Sequence, residues 1–215
     1  MRDMKIIKDI QLDIDRNAVF HYQGYSQKKV KEPNQNILRI TEEEINRGYN
    51  LSKPQGIYSL IKITCFTSKE RINLENKLVF RSSKSIINKL KRASHLLVGV
   101  ITIGDFLEKK VSELFSQGEY PRALALDAVG TVAVEYFSWR VRKMARQEVK
   151  EQGFKTSRHF SPGYSGWEVS QQEIIFKSIP TDNIGVRLSK SYMMLPQKSL
   201  SWAIGVGKEI ITPSK

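Results

Sequence analysis

The chain has 215 residues and carries 35 Lys and Arg against 22 Asp and Glu, a formal net charge of +13. Its length is sufficient for one well-buried core and short for two ordinary domains. We therefore expect a single domain over residues 1–215, with a loose tail at 208–215. Hydrophobic residues make up 40% of the chain and charged residues 27%, which excludes the disordered and collagen-like classes.

The excess of positive charge predicts attraction to acidic partners such as nucleic acid, anionic lipid or an acidic protein. Cys65 is the single cysteine, so an intrachain disulfide is excluded and a reducing cytoplasm fits best. Residues 1–5 lack the apolar region of a secretory signal, and no later run is long enough to cross a bilayer. We therefore expect neither export nor a membrane location.

The first part of the chain reads as a strand, a loop and a helix. Residues 5–12 alternate imperfectly between apolar and charged side chains, which suits an edge strand. Residues 21–36 are polar and read as a loop. Thr41 and Glu44 have the spacing of a capping box, which predicts a helix from Thr41 to about Asn50.

The next segments predict the sheet. Residues 57–66 are rich in β-branched and aromatic side chains and residues 77–81 follow a polar turn, so two strands are expected. A serine at position 82 or 83 caps a short helix that ends near Leu90. Residues 95–104 form a nearly continuous apolar run, which is typical of a central strand buried on both faces.

Two helices are expected after this strand, one over residues 105–116 and a long one that has Pro121 in its first turn and ends near Glu151. The first half of the long helix is apolar nearly all round and should be buried. Its second half, residues 140–150, is basic and is expected to project into solvent.

Asp127, Thr131 and Glu135 are spaced four residues apart and share one face of the apolar half of this helix. An unpaired buried carboxylate is costly, so each acid should have a partner. Asp127 and Glu135 are therefore candidates either for a salt bridge to another element or for contact with a ligand.

The segment between the long helix and the next one is a candidate ligand-binding loop, with the sequence Arg158-His159-Phe160-Ser161-Pro162-Gly163-Tyr164-Ser165-Gly166-Trp167. Gly163 and Gly166 allow positive φ and the close approach of a ligand to the backbone. The three aromatic rings could hold an adenine or a sulfonium, and Arg158 could bind a carboxylate. The alternative is a surface turn pinned to the core by its aromatic side chains.

A further helix should begin with a capping box at Ser170 and Glu173 and end before Pro180. Residues 186–195 and 199–206 then suit two strands of a hairpin. The predicted fold class is α+β, a twisted and mainly antiparallel sheet with helices packed against it.

Several motifs follow one another along the chain: Thr102-Ile103-Gly104, Leu126-Asp127-Ala128-Val129-Gly130, Ser161-Pro162-Gly163-Tyr164, Gly166-Trp167, Gly185-Val186-Arg187-Leu188 and Pro196-Gln197-Lys198-Ser199. In these motifs the chain resembles the activation domain of cobalamin-dependent methionine synthase in its small, stand-alone form. The similarity runs in the same order over roughly residues 20–206.

This resemblance implies a single domain on a curved antiparallel sheet and binding of S-adenosylmethionine by the Pro-Gly-Tyr loop. Cobalamin would be met only through a partner, a cobalamin-binding methyltransferase subunit, and an acidic reductase is a further candidate partner. The implied cofactor-binding residues are Arg158, His159, Phe160, Ser161, Pro162, Gly163 and Tyr164, with Asp127 and Glu135 from the long helix.

An alternative function is a basic binding module for nucleic acid or another polyanion, indicated by the net charge and by the lysine-rich segments 28–31 and 84–92. It ranks behind the reactivation hypothesis because no recognised nucleic-acid motif accompanies the lysines. The three histidines lie far apart in sequence and Cys65 has no companion, so no metal site is predicted.

Overall fold

A computed structural model of the protein describes residues 4–25, 33–67 and 70–210. The strands are β1 (Met4–Lys8), β2 (Gln55–Thr67), β3 (Arg71–Leu74), β4 (Val79–Arg81), β5 (His95–Thr102), β6 (Lys155–Phe160), β7 (Arg187–Leu188), β8 (Met194–Leu195) and β9 (Ser199–Gly207). The α-helices are α1 (Arg16–Tyr22), α2 (Gln35–Leu51), α3 (Lys84–Leu90), α4 (Phe106–Ser116), α5 (Tyr120–Glu151) and α6 (Gln172–Ser178). Two 3₁₀ turns, Val169–Gln171 and Thr181–Ile184, flank α6.

Seven strands form one antiparallel sheet in the order β4-β3-β2-β5-β9-β6, and β1 also pairs with β2. β7 and β8 form a separate two-stranded sheet. The α+β class and the antiparallel sheet predicted from the sequence are confirmed. Among the described residues, no helix combines the length and the apolarity needed to cross a bilayer.

Strand β5 lies at the centre of the sheet and is buried on both faces, as predicted. Leu97 and Ile101 point into the core formed with α1, α2, α4 and α5. Leu96 and Val98 point into the core formed with α3 and α6. Side chains alternate across a strand, so a strand with helices on both faces must be apolar at every position.

Close approaches at glycines position the helices and the central strands. A side chain at Gly99 would collide with the indole of Trp202, which covers this position on the neighbouring strand β9. A Cβ at Gly130 of α5 would lie 2.6 Å from Leu107 of α4, and one at Gly48 of α2 would collide with Val129 of α5. These glycines bring α2 and α4 against the long helix.

The long helix α5 was predicted with nearly its observed bounds, but its second half does not project into solvent. Val141, Ala145 and Val149 are buried along this half. Their spacing of four residues forms an apolar stripe that packs on the sheet, while the basic side chains occupy the remaining faces.

The N-terminal helices differ from the prediction. Helix α1 was not predicted, and its last two residues, His21 and Tyr22, lie where a loop was expected to begin; its N-cap Asp15 accepts a hydrogen bond from the backbone N–H of Asn17 at 2.7 Å. Helix α2 begins one and a half turns before Thr41, with Asn34 as its N-cap. The capping box at Thr41 and Glu44 is therefore wrong, since both side chains are fully buried within the helix.

Strand β6 was not predicted, and it contains the first three residues of the proposed loop. It pairs with β9, and the register shifts at a bulge between Thr156 and His159. Arg146 of α5 donates hydrogen bonds to the Thr156 hydroxyl at 2.9 Å and to the Ser157 carbonyl at 2.8 Å. A side chain from the long helix thus satisfies the irregular backbone of the bulge.

Two C-terminal predictions are wrong. Residues 186–195 do not form a hairpin with 199–206, because β7 and β8 fold back on each other and β9 pairs with β5 and β6. The capping box at Ser170 and Glu173 is wrong, since α6 begins at Gln172 after a 3₁₀ turn. In the predicted tail over 208–215, Lys208 and Glu209 are exposed and Ile210 is buried, and residues 211–215 lie outside the described residues.

Candidate functional site

The glycine-containing segment after β6 is a tight loop closed by its own backbone. Gly163 has φ +94° and Gly166 φ +86°, a conformation that favours glycine. The N–H of Gly163 donates to the Trp167 carbonyl at 2.8 Å, and the N–H of Trp167 donates to the Tyr164 carbonyl at 2.9 Å. These bonds fix the loop in one shape and turn Tyr164 outward.

Two contacts anchor this loop to the rest of the protein. Trp167 is 2% exposed and packs edge-on against Phe80, with 5.4 Å between the ring centroids. The N–H of Ser83, at the start of α3, donates to the Gly166 carbonyl at 2.9 Å. The expectation that Trp167 offers a ring face to a ligand is therefore wrong, since its indole serves as the anchor.

A cavity of about 560 Å³ lies between this loop, β6 and α3. We call it the loop pocket and define it by the side chains and backbone of Ile86, Lys89, Arg158, His159, Phe160, Ser161, Tyr164, Ser165 and Gly166. Its volume is within the range of small-molecule sites. The structure thus brings together five of the residues predicted from the sequence: Arg158, His159, Phe160, Ser161 and Tyr164.

The other two predicted loop residues do not line this pocket. Gly163 lines another cavity, beside Arg81 and Gln171. Pro162 is buried. Tyr164 borders both cavities and is 71% exposed, so it is the most accessible aromatic side chain of the loop.

The loop pocket offers several groups suited to an anionic ligand. Lys89 and Arg158 line it, and neither makes a salt bridge within the described part of the chain. The backbone N–H groups of Ser165 and Gly166 have no protein acceptor among the described residues. Two cations and two free N–H donors form a set that can bind a carboxylate.

Glu135 of α5 is electrostatically linked to the loop. It accepts a 2.7 Å hydrogen bond from Tyr22 of α1. That bond, together with burial and the charges of Glu135 and Tyr164, raises the pKa of Tyr22 to about 12. The charges of Glu135 and Tyr164 also act on the guanidinium of Arg142 and partly offset the lowering of its pKa by burial. Tyr22, Glu135, Arg142 and Tyr164 therefore form one cluster at the side of the loop, which we call the Tyr-Glu cluster.

Sequence reasoning missed Tyr22 because it lies in a segment that was read as a loop. The signal that could have found it is Asp15, whose side chain caps α1 by accepting from the N–H groups of Asn17 and Ala18. Recognition of this cap would have placed Tyr22 on a helix.

Asp127 is not part of this arrangement. Its carboxylate pairs with the ammonium of Lys198 at 2.9 Å, and Lys198 also donates to the hydroxyl of Thr131 at 2.9 Å. Asp127 lies two helical turns from Glu135, about 12 Å along the axis. The expected burial of both acids is wrong, because the Asp127 side chain is 51% exposed and Glu135 is exposed. Asp127 fits the salt-bridge alternative.

His159 lies between the loop pocket and a second cavity on the other side of β6. Burial of part of its ring, followed by the positive charges of Arg142, Arg146 and Arg158, lowers its pKa to about 4. The imidazole is therefore neutral at neutral pH and can accept a hydrogen bond from a ligand.

The same fold occurs in a known protein. The chain superimposes on the crystal structure of the MetH reactivation domain bound to AdoHcy with a TM-score of 0.70 and 12% sequence identity, covering 99% of this chain and 79% of that chain. No family model and no curated protein matches the sequence. The similarity inferred from the loop motifs is thus confirmed as a similarity of fold.

Proposed function

We propose that this chain is a stand-alone reactivation module that binds S-adenosylmethionine in the loop pocket. The observation that carries the proposal is the pocket itself, closed by the Ser-Pro-Gly-Tyr loop on a fold that a MetH reactivation domain solved with AdoHcy shares. In this proposal residues 1–215 work as one domain and in the cytoplasm.

The chemistry of the pocket fits the parts of this ligand. Arg158, Lys89 and the free N–H groups of Ser165 and Gly166 would bind its carboxylate. The rings of Phe160 and Tyr164 would contact the adenine or the sulfonium. Bound there, S-adenosylmethionine supplies a methyl group, while the protein supplies its position.

Glu135 would accept a hydrogen bond from the ligand amine at the edge of the pocket. Its link to Tyr164 through the Tyr-Glu cluster supports this assignment. The hydrogen bond from Tyr22 would hold the carboxylate in place before the ligand binds. Asp127 is left out of the proposed site because Lys198 already pairs with it.

The methyl acceptor is proposed to be cobalamin carried by a separate methyltransferase subunit. The exposed ring of Tyr164 borders the pocket and is available to a docking partner. The net charge of +13 would speed encounter with an acidic partner, including an acidic reductase, in a salt-sensitive way.

Isothermal titration calorimetry with S-adenosylmethionine and S-adenosylhomocysteine tests the ligand. We expect both to bind, and we expect Tyr164→Ala to weaken binding about tenfold or more. Tyr120→Ala removes another exposed tyrosine, on the first turn of α5, and is the matched control. Absence of heat with both ligands, or equal losses in the two variants, would remove the loop pocket from the proposal.

A reconstitution tests the partner. Inactive cobalt(II) methyltransferase would be mixed with a reductant, S-adenosylmethionine and this protein, and the cobalamin spectrum followed. We expect methylcobalamin to return faster with the wild-type protein than with Tyr164→Ala. If it returns equally fast without the protein, the reactivation role is contradicted even if the ligand binds.

A further inference from the structure

A second cavity, of about 840 Å³, lies between the C-terminal half of α5 and strand β6. We call it the basic groove. Five cationic side chains line it and no carboxylate does: Arg142, Lys143, Arg146, Lys150 and Lys155. Trp139, Phe154 and His159 add aromatic surface. The groove shares only His159 with the loop pocket.

The arrangement of these residues follows from the helix. Arg142, Arg146 and Lys150 are spaced four residues apart and therefore form one row along α5, and Lys143 belongs to the adjacent row. Lys155 faces them from the start of β6. Positive charge thus borders the groove on both sides.

None of the five cations makes a salt bridge within the described part of the chain. The N-terminal part of the same helix shows the contrast, since the guanidinium of Arg122 binds Glu43 at 2.6 Å and Glu44 at 2.7 Å. Glu151, close to the groove, accepts from Gln147 at 2.9 Å.

The two arginines of the groove are partly buried without a salt-bridge partner in the described part of the chain, and the charges of Glu135 and Tyr164 act on Arg142 only through space. Arg142 donates to the Ser138 hydroxyl at 3.0 Å, and Arg146 donates to the β6 bulge. Burial lowers the pKa of both guanidiniums, and the charge of Arg146 lowers that of Arg142 further. Partly buried like charges repel each other, so an anion that enters the groove would relieve the repulsion.

The geometry points to the basic groove as a binding site for a phosphorylated nucleoside. Its consecutive phosphates would lie along the row formed by Arg142, Arg146 and Lys150, and its flat base would contact Trp139 or Phe154. The volume suits one such unit. The same chemistry is offered by a free nucleotide and by single-stranded nucleic acid. The site does not depend on the proposed S-adenosylmethionine role.

The structure supplies an internal reporter for a test. Trp139 is 46% exposed at the groove, with the ammonium of Lys143 at 5.0 Å from its ring centroid. The other two tryptophans, Trp167 and Trp202, are 2% and 0% exposed. Binding in the groove should therefore change the tryptophan fluorescence excited at long wavelength, and Trp139→Phe should remove this change.

The probes are ATP, tripolyphosphate, a short oligothymidylate and hexaglutamate, titrated at low salt. We expect ATP or the oligonucleotide to bind more tightly than tripolyphosphate and hexaglutamate, and the affinity to fall as salt rises. The tighter of ATP and the oligonucleotide identifies the source of the ligand.

Variants locate the binding. Lys150→Glu with Lys155→Glu should weaken binding about tenfold or more, because both exposed lysines border the groove. Lys91→Glu with Lys190→Glu changes the total charge equally at exposed positions outside the groove and should have little effect. Tyr164→Ala, at the loop pocket, should leave the affinity unchanged.

Equal binding of all four probes, or equal weakening by the two lysine pairs, would overturn the inference, because either result would mean attraction by net charge alone. Loss of ATP binding in Tyr164→Ala with retention in the Lys150 and Lys155 variant would also overturn it, since the nucleotide would then occupy the loop pocket. Thermal melting of each variant checks that the fold is intact.

Discussion

The phenol of Tyr22 donates a 2.7 Å hydrogen bond to the carboxylate of Glu135 and so joins α1 to the long helix beside the Ser-Pro-Gly-Tyr loop. These residues are separated by 113 positions in sequence. The sequence spacing placed Asp127 and Glu135 in one group. In the structure their partners differ, because Glu135 binds Tyr22 whereas Asp127 pairs with Lys198.

Substitution of Glu135 should lower ligand affinity, whereas substitution of Asp127 should lower stability. Glu135→Gln should weaken S-adenosylmethionine binding about tenfold with little change in stability, because it removes the charge beside the pocket. Asp127→Asn should leave the affinity unchanged and cost about 1 kcal/mol of stability, since its pair with Lys198 is partly exposed. Calorimetry and urea denaturation measure the two quantities. If Asp127→Asn weakens binding and Glu135→Gln does not, the ligand contacts Asp127 and not Glu135.

His159 should make the protein sensitive to acid. Its pKa is about 4 in the folded state, below the ordinary histidine value of 6.5. Between these values the unfolded chain binds more protons than the folded protein. The free energy of unfolding is therefore unaffected by His159 above about pH 6.5 and decreases as the pH falls toward 4. His159→Gln should therefore reduce the decline of the Tm over this range.

Proton NMR titration of the imidazole provides the direct check. Arg142→Gln should raise the pKa of His159 only in part, because burial is the larger cause and the charge of Arg142 comes second. A wild-type midpoint close to pH 6.5 would contradict the expectation.

The two loop glycines should differ in their tolerance of alanine. Both have positive φ, so either substitution should cost about 1–3 kcal/mol. Gly166→Ala should cost more, since its Cβ would lie 2.5 Å from the Ser83 hydroxyl, whereas the nearest atom at Gly163 is 3.8 Å away. Thermal melting compares them, with Gly118→Ala as a positive-φ control that has open space. Equal losses at all three positions would argue against the Ser83 contact.

Gly163 also allows a test of ligand approach. Because Gly163 does not line the loop pocket, Gly163→Val should leave S-adenosylmethionine binding in place, and the core should survive because the residue is exposed; loss of binding in a folded variant would show that the ligand also reaches the backbone at Gly163. Retained affinity in a folded Gly163→Val protein would place the ligand on the loop-pocket side only, at Arg158 and Tyr164.

Glu44 should contribute more to stability than the exposed acid Glu42 on the same helix. Its side chain is 0% exposed, hydrogen-bonded to Arg122 at 2.7 Å and 3.0 Å from Arg47. Glu44→Ala would remove one of the two carboxylates that bind Arg122, with Glu43 remaining, and would leave a buried space, so it should cost about 1–3 kcal/mol in urea denaturation. Glu42→Ala removes an exposed pair with Arg16 and should have little effect. Similar losses for both would contradict the assignment.

Elements whose stability is encoded locally were predictable. Residues 95–104 are continuously apolar, which is the pattern of a strand covered on both faces, and β5 is that strand. Helix α5 was found because Pro121 and a long apolar run mark its first half. One motif could predict part of the loop pocket, because its lining residues from this segment lie close together in sequence: Arg158, His159, Phe160, Ser161 and Tyr164.

Features that depend on distant partners were not predictable. Thr41 and Glu44 have capping-box spacing, but their side chains serve contacts with Gln23 and Arg122 inside the fold. Strand β6 lacks an alternating pattern, and its bulge is stabilised by Arg146, which lies on another element. The lysine-rich segment 28–31 lies outside the described residues.

The bulge in β6 also affects how this edge of the sheet can pair with a strand from another molecule. β6 ends the main sheet on one side, and an edge strand exposes backbone groups that could pair with a strand from another copy. The bulge between Thr156 and His159 breaks the regular repeat of those groups, and exposed Lys155 and Arg158 place like charges on any approaching copy. The irregularity that Arg146 holds in place therefore disfavours regular pairing of this edge with a strand of another copy.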